Sequence, residues 1–256
     1  MLAKPADDDA IRHVASVSSN QDATIAGPVA ELLLKTGLDG LVTVDETDKP
    51  GVETSIIDGL RVDAGYASPT MATNHRYEAV LPRPYILLTD KPLKKVEDVL
   101  TAMKLAVEGK AGSLLILADD VDHDVVSFLA SNRDALPVCV VKTPGFGPTR
   151  KHDILGDIQA KVGGKVLSDA EGVVLGGVTM ADLGQADSAI ISRDAALIAG
   201  GRGDTSAIAT RTGQVEIDLA AAEFDFDKDR LRRRKANLHG KLGIIQDIDR
   251  TVSPTV

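Results

Sequence analysis

The chain has 256 residues and a formal net charge of -9 at pH 7, and its residues are 43% hydrophobic but only 3% aromatic. This length suits one large domain, or one domain with a smaller appendage. The acidic surplus argues against a general binder of nucleic acids or anionic membranes, because neutralising phosphate requires an excess of Lys and Arg. No apolar run is long enough to span a bilayer and the N-terminus lacks the apolar segment of a signal peptide, so we expect a cytoplasmic protein.

The first part of the chain contains two helical patterns followed by two strand patterns. Helices are predicted over residues 7–17 and 20–36, and strands over Leu41–Glu46 and Glu53–Val62. Pro28 lies inside the second helical pattern and should kink that helix or delay its start. Residues 63–79 are rich in Gly, Pro, Ser and Thr, which predicts an exposed excursion rather than part of the core.

The centre of the chain alternates between strand and helix. Short apolar runs predict buried strands at residues 85–89, Ser113–Ala118 and 138–141. A broad apolar stripe predicts a helix over residues 94–108. Asp119, Asp120 and Asp122 are expected to cap a second helix, since carboxylates are favoured at a helix N-terminus. This alternation predicts an α/β fold built on a parallel sheet.

The last third of the chain is helical and charged. Before it, a strand is predicted at residues 165–168 and a hairpin at 189–192 and 195–199. Five basic residues cluster near the end of the helical stretch 205–239, namely Arg230, Arg232, Arg233, Arg234 and Lys235. Three aspartates precede them, namely Asp225, Asp227 and Asp229. Pairing of opposite charges at i,i+4 on a solvated helix is therefore favoured over a nucleic-acid surface.

Residue types that carry catalysis or bind metals are scattered. Cys139, the single cysteine, lies inside a predicted buried strand, so we expect an inert thiol. The five histidines lack metal-ligand spacing, and the acidic run at residues 119–124 lacks the spaced ligands and central glycine of a calcium loop. No Ser or Cys stands in a nucleophile elbow. We therefore expect no catalytic residue and no metal site in this chain.

One segment resembles a known family. Residues 141–155, VKTPGFGPTRKHDIL, are similar to the Val-Lys-Ala-Pro-Gly-Phe-Gly segment of the group I chaperonins, the GroEL type. Residues 18–46, 58–69, 85–100, 113–121 and 183–185 also resemble successive pieces of one chaperonin subunit, in the right order. The resemblance covers nearly the whole chain, and it implies the apical, polypeptide-binding domain with part of the intermediate domain.

The resemblance implies a fold and a division of the chain. The expected fold is a chaperonin apical-domain-like layered α/β fold of the swivelling β/α/β type, with a small, partial α+β intermediate segment. Residues 1–57 would be the ascending arm of the intermediate domain, 58–240 the apical domain, and 241–256 the start of the descending segment. Gly59 and Gly240 would act as hinges.

The resemblance also implies what the chain lacks. The family's full-length proteins use ATP and Mg²⁺, but their equatorial Gly-Asp-Gly-Thr-Thr segment does not occur in this sequence. Their catalytic aspartate lies further along the descending segment than residue 256. We therefore expect no ATP hydrolysis and no cofactor in this chain. Family members form heptameric rings chiefly through equatorial domains, so we expect this chain to be a monomer.

The function implied by the resemblance is binding of non-native polypeptides, and of the mobile loop of a GroES-type co-chaperonin, in an apolar groove. The implied contact residues lie on an extended segment (Tyr66, Ser68, Thr70, Met71), a first helix (Leu100, Met103) and a second helix (Val126, Leu129, Ala130, Ser131, Asn132). Spacing alone favours ordinary core positions for Leu100, Met103 and Leu129, and only the resemblance assigns them to a groove.

The sequence departs from the family at several of these positions. Thr70 stands where the family usually has an aromatic residue, and Ala130 and Ser131 replace larger aliphatic residues, which implies a shallower and more polar groove. Ala64 replaces an arginine that makes a contact between subunits, and Lys241 replaces a hinge glycine.

A different class of function is compatible with the same region. The loop from Gly145 to Lys151 opens a predicted helix, and its Thr and basic residues could hold a phosphate at the helix N-terminus of a small α/β enzyme. No general base is placed beside this loop. The third glycine of a dinucleotide-binding fingerprint is also missing.

Overall fold

The computed structural model describes residues 8–36, 41–46, 53–145, 147–168 and 174–247. The helices are α1 (Asp8–Ser18), α2 (Ala23–Thr36), α3 (Glu97–Glu108), α4 (His123–Ser131), α5 (Pro148–Val162), α6 (Thr205–Ala221) and α7 (Asp225–Leu238). The strands are β1 (Leu41–Glu46), β2 (Glu53–Val62), β3 (Ala79–Pro82), β4 (Pro84–Thr89), β5 (Ser113–Ala118), β6 (Val138–Lys142), β7 (Val166–Leu167), β8 (Gly184–Gln185), β9 (Ser188–Ile191), β10 (Ala196–Ala199) and β11 (Lys241–Asp247).

The chain forms two compact units. One comprises residues up to Asp58 together with residues from Gly240 onward, and the other comprises Gly59–His239. These boundaries differ by one residue at each end from the division drawn on the sequence. The two residues suggested as hinges, Gly59 and Gly240, are the first residues after the two boundaries.

The smaller unit contains α1, α2, β1, β11 and the first part of β2. Strand β1 runs parallel to β11, and β11 runs antiparallel to residues 53–58 of β2. Helix α1 packs on α2, which in turn packs on β11. The sequence predicted each of these elements except β11, and residue 7 of the first predicted helix lies outside the described residues.

Helix α2 begins three residues later than predicted because a cap fixes its start. The backbone N–H of Thr24 donates to the Asp22 carboxylate at 2.9 Å. Just before this cap, Asn20 and Gln21 have left-handed backbone angles, with φ of 54° and 64°. Pro28 lies inside α2, beyond its first turn, so it removes one backbone bond without ending the helix.

The larger unit contains a parallel sheet with strand order β6-β5-β4-β7. The chain moves in one direction from β4 through β5 to β6, and then crosses back to β7. Since such crossovers are right-handed, α3 and α4 lie on one face of the sheet and α5 on the other. Every residue of β5 is buried, as expected for a central strand covered on both faces. The protein is therefore a mixed α/β protein, as predicted.

A second sheet in this unit is antiparallel. Its strands lie in the order β2-β10-β9-β3, where β2 contributes residues 59–62. The predicted hairpin is β9–β10, closed by a backbone bond of 2.8 Å from Ser192 N–H to Ala195 O. Strand β3 packs against β5 and β6, so one hydrophobic core continues from this sheet into the parallel sheet.

The predicted helical stretch at residues 205–239 is two helices. Ala222 and Phe224 have extended backbone angles between α6 and α7. Asp204 caps α6 by accepting from Ser206 N–H at 2.8 Å. Helix α6 packs on α5 and α7, and a small cluster around Val215 and Leu231 forms the α6–α7 contact.

The expectation that aspartates cap α4 was wrong. Asp122 precedes α4, but its side chain makes no capping hydrogen bond. The Asp119 carboxylate instead accepts from Lys151 of α5. Asp120 pairs with Lys142 at the end of β6, at 2.6 Å. Asp119 and Asp120 therefore form ion pairs with neighbouring elements instead of capping the helix.

Candidate functional site

The predicted groove residues lie on α3, on α4 and its C-cap residue Asn132, and on an extended segment that runs from Tyr66 into the Pro69–Met71 turn. Helix α3 connects β4 to β5 and α4 connects β5 to β6, so the topology places both helices side by side on one face of the parallel sheet. The extended segment reaches the same sheet at its edge strand, because Tyr66 forms an isolated bridge with Val141 of β6.

Helix α3 presents two apolar rows. Val99, Ala102 and Ala106 are buried against the sheet at spacings of three and four residues. A second row follows the same spacing through Val96, Leu100, Met103 and Val107. In this second row the first three residues are half-buried, and Val107 is 60% exposed. The two predicted contact residues, Leu100 and Met103, therefore lie on the row that the core does not fully cover.

Helix α4 contributes less apolar surface than the sequence suggested. Val126 and Leu129 are buried, Leu129 with only 1% exposure, so in this structure both side chains pack in the core. They are buried because the α4 row facing the sheet must fill the space above β5 and β6. Ala130 remains half-buried and accessible.

The end of α4 is polar and engaged with its own backbone. The Ser131 hydroxyl donates to Ser127 O at 2.9 Å, and the Asn132 amide donates to Phe128 O at 2.7 Å. The Asn132 bond satisfies a carbonyl that the helix end would otherwise leave unpaired. Phe128 itself is half-buried. It is the largest apolar side chain that α4 leaves accessible, and it was not among the residues predicted for the groove.

The extended segment is attached to β6 at three points. Ala67 N–H donates to Val140 O at 2.7 Å, and Val140 N–H donates to the Met71 sulfur at 3.3 Å. Together with the Tyr66 bridge, these bonds fix the segment along the sheet edge. Met71 is buried, with 4% exposure, so it is a core residue and not an open contact.

The accessible part of this segment is small and polar. Thr70 is exposed, and its hydroxyl lies 2.9 Å from the hydroxyl of Ser68. Ser68 also accepts from Thr70 N–H and so caps the short turn that begins at Pro69. Tyr66 is half-buried. The segment thus offers one aromatic ring and two hydroxyl groups beside the helices.

In the loop suggested for phosphate binding, Gly145–Lys151, the Lys151 ammonium is in an ion pair, whereas Arg150 is exposed and makes no ion pair with a described residue. Lys151 pairs with Asp119, and Lys142 pairs with Asp120. The hydrogen bond from Lys142 and the Val121 backbone N–H lower the pKa of Asp120 below its ordinary value. Both lysines are therefore engaged with carboxylates that would have to be displaced by an anion. Phe146 of this loop lies outside the described residues.

Cys139 is fully buried in β6, and this burial raises the pKa of its thiol far above the ordinary value. The side chain is thus a packing group, since the thiolate is the reactive form. Within the described ranges, His, Cys, Asp and Glu side chains form no group of three that could hold a metal ion. No helix in the described part of the chain has both the length and the apolar character needed to cross a membrane.

No protein-family model matches the chain. The assignment of function therefore depends on the segment resemblance and on the geometry of α3, α4 and the extended segment.

Proposed function

We propose that this chain binds non-native polypeptide through the accessible apolar row of α3, as the apical part of a group I chaperonin-like protein. The observation that carries the proposal is the second row of α3. Helix α3 already fills the core with Val99, Ala102 and Ala106. In the second row, Met103 packs against the main core cluster but stays half-buried, whereas Leu100, also half-buried, and the exposed Val107 lie outside that cluster. The row therefore leaves apolar surface that the core covers only in part.

The chemistry of this surface suits ligands of varied sequence. Met103 is unbranched and flexible, so it can adapt to side chains of different shape. Burial of apolar area contributes about 25 cal/mol per Å², from which the cost of ordering the bound segment must be subtracted. Thr70, Ala130 and Ser131 add little apolar area. We therefore expect micromolar or weaker affinity for extended apolar peptides.

The proposal extends to the fold and to partners. The larger unit would be an apical domain of the swivelling β/α/β type, and the smaller unit would be part of an intermediate domain. The mobile loop of a GroES-type co-chaperonin would use the same α3 surface. As proposed, the chain itself neither binds nor hydrolyses ATP, because the family's Gly-Asp-Gly-Thr-Thr segment does not occur in its sequence.

The test is a double substitution on the accessible row, Leu100→Ser with Met103→Ser. Binding of a fluorescent, extended apolar peptide is measured by anisotropy, and stability by thermal unfolding. We expect peptide binding to be lost while the melting temperature falls by only a few degrees, because neither side chain is fully buried. Lys104→Ser is the matched control, since Lys104 is exposed on the same helix and lies outside the row.

Two results would contradict the proposal. If the double variant unfolds, Leu100 and Met103 are core residues. If it remains folded and binds the peptide as well as the unmodified chain does, the peptide binds elsewhere.

A further inference from the structure

A cavity of about 310 Å³ lies in the larger unit, away from α3 and α4. The end of β2, helix α5 and helix α7 surround it. Leu60, Val62 and Ile158 contribute buried apolar side chains to its lining. This volume is at the lower end of the range found for small-molecule sites, about 300 to 1,000 Å³.

The acidic residues of the cavity wall are already paired. Asp157 accepts from Arg211 and Arg234, each through Nε at 2.7 Å. Asp63 pairs with Arg61, and Asp229 pairs with Arg232, also at 2.7 Å in both cases. None of these carboxylates is therefore available to repel a bound anion strongly or to neutralise a further arginine.

Two arginines of the cavity wall have N–H donors that are free to bind an acceptor. Arg233 is exposed, and it makes no ion pair with any residue that the structure describes. Arg230 pairs with Asp227, but its Nε is buried and has no acceptor within the described part of the chain. A buried donor without an acceptor is uncommon, since leaving it unpaired is costly. The cavity wall thus has one unpaired guanidinium group, that of Arg233, and one unsatisfied N–H, the Nε of Arg230, among the described residues.

An aromatic ring lies at the same place. Phe226, in the first turn of α7, lines the cavity and is 71% exposed. Its ring is not part of either core cluster. The cavity therefore combines buried aliphatic side chains, an uncovered aromatic ring and one guanidinium group, that of Arg233, without an ion-pair partner among the described residues.

We propose that this cavity binds a small organic anion with an apolar, ring-sized body and one carboxylate group. The body would lie against Leu60, Ile158 and the Phe226 ring. The carboxylate would accept hydrogen bonds from Arg233, whose planar guanidinium can form two parallel bonds to a carboxylate. This site is separate from the proposed polypeptide surface, because none of its lining residues belongs to α3 or α4.

The test uses a naphthalene carboxylate and its uncharged carboxamide as probes of the full chain, with affinity measured by calorimetric titration. We expect the carboxylate to bind at least tenfold more tightly than the carboxamide, because a charge-assisted hydrogen bond is stronger than a neutral one. Arg233→Gln should weaken carboxylate binding about tenfold and leave carboxamide binding unchanged. Phe226→Ala should weaken binding of both probes. Both substituted side chains are exposed, so the variants are expected to fold.

The matched control is Lys235→Gln, which removes one positive charge from the same helix at a position outside the lining. Carboxylate affinity should be unchanged in this variant. Equal binding of the two probes, or an Arg233→Gln variant that binds the carboxylate normally, would overturn the proposal. So would loss of carboxylate binding in the Leu100→Ser, Met103→Ser variant, because the probe would then occupy the α3 surface. Peptide binding to α3 is tested with different variants. The results can therefore contradict the cavity proposal without contradicting the polypeptide proposal, and the reverse.

Discussion

Met71 illustrates the limit of transferring single residues from a resembling family. The resemblance implied a contact to a bound polypeptide, but the structure buries this side chain and uses its sulfur to accept from Val140 N–H. Sequence similarity assigns the residue to this segment. It does not give the direction of the side chain, which depends here on how that segment pairs with β6.

The hydrogen bond to the Met71 sulfur should contribute to the stability of the fold. Met71→Leu conserves volume, yet it leaves the buried Val140 N–H without an acceptor, which costs about 1 to 3 kcal/mol. We expect the free energy of unfolding, measured in urea, to fall by that amount. Met103→Leu is the matched control, since no hydrogen bond to the Met103 sulfur occurs in the described residues, and its effect should be smaller. Equal losses in the two variants would mean that the Met71 sulfur contributes only packing.

Helix α3 shows why apolar spacing alone did not separate an accessible row from a core row. The sequence pattern gave one broad stripe, and Val99 and Leu100 both belong to it. The structure divides the stripe, because the row facing the sheet is completed by Ala102 and Ala106. Alanine adds little to a hydrophobic pattern, yet its small side chain lets a helix approach a sheet closely. Which row is buried therefore depends on the distance between the helix and the sheet, and the pattern of apolar residues does not give that distance.

The bounds of buried strands could be predicted from the sequence more reliably than the partners of charged side chains. Strand β5 has the predicted bounds because a continuous apolar run has few alternatives in an α/β protein. Strand β11 was missed, since Lys241 and Gly243 interrupt its apolar pattern. Pairing in α7 occurs at i,i+3 for Arg230 and Arg232, and not at the expected i,i+4.

Arg234 of α7 pairs outside its own helix. Burial disfavours its charged form, but the hydrogen bond and charge of Asp157 outweigh this and raise the pKa of Arg234 above its ordinary value. Asp157 also accepts from Arg211, so one carboxylate joins α5, α6 and α7. The sequence could not predict this pairing, because the partners lie 54 and 77 residues away.

We therefore expect substitution of Asp157 to lower the free energy of unfolding more than substitution of an exposed charged residue of these helices. Its side chain is 8% exposed, and Asp157→Asn would remove the more buried of the two carboxylates that Arg211 and Arg234 share, leaving Asp153, which is 32% exposed. Removing one partner of a buried ion pair costs about 3 to 5 kcal/mol when the other is left unpaired. Because Asp153 still pairs with both arginines, we expect a smaller loss in urea unfolding, about 1 to 3 kcal/mol. Asp229→Asn, which breaks an exposed pair on α7, should cost no more than about 0.5 kcal/mol. Similar losses for both variants would show that the three-helix ion pairs do not stabilise the fold.

At the scale of the whole molecule, the larger unit contains complete cores of its own. The main hydrophobic cluster extends from Leu60 to Ile198, and the smaller cluster from Val215 to Leu238, so both lie within Gly59–His239. The ion pairs of Asp157 and the accessible row of α3 also belong to this unit. A unit that encloses its own core and its own ion pairs has the properties expected of an independently folding domain.

The larger unit should therefore fold on its own. A fragment of residues 59–239 should unfold cooperatively, with a melting temperature within about 5 °C of the corresponding transition of the full chain, because no residue of its two hydrophobic clusters is removed. Its affinity for the apolar peptide should match that of the full chain within about twofold, as measured by anisotropy. A shorter fragment, residues 59–204, lacks α6 and α7 and so deprives Asp157 of both arginines. We expect this shorter fragment to melt at a markedly lower temperature. If residues 59–239 fail to unfold cooperatively while the full chain does, the larger unit depends on residues outside it. The two units would then not be independently stable.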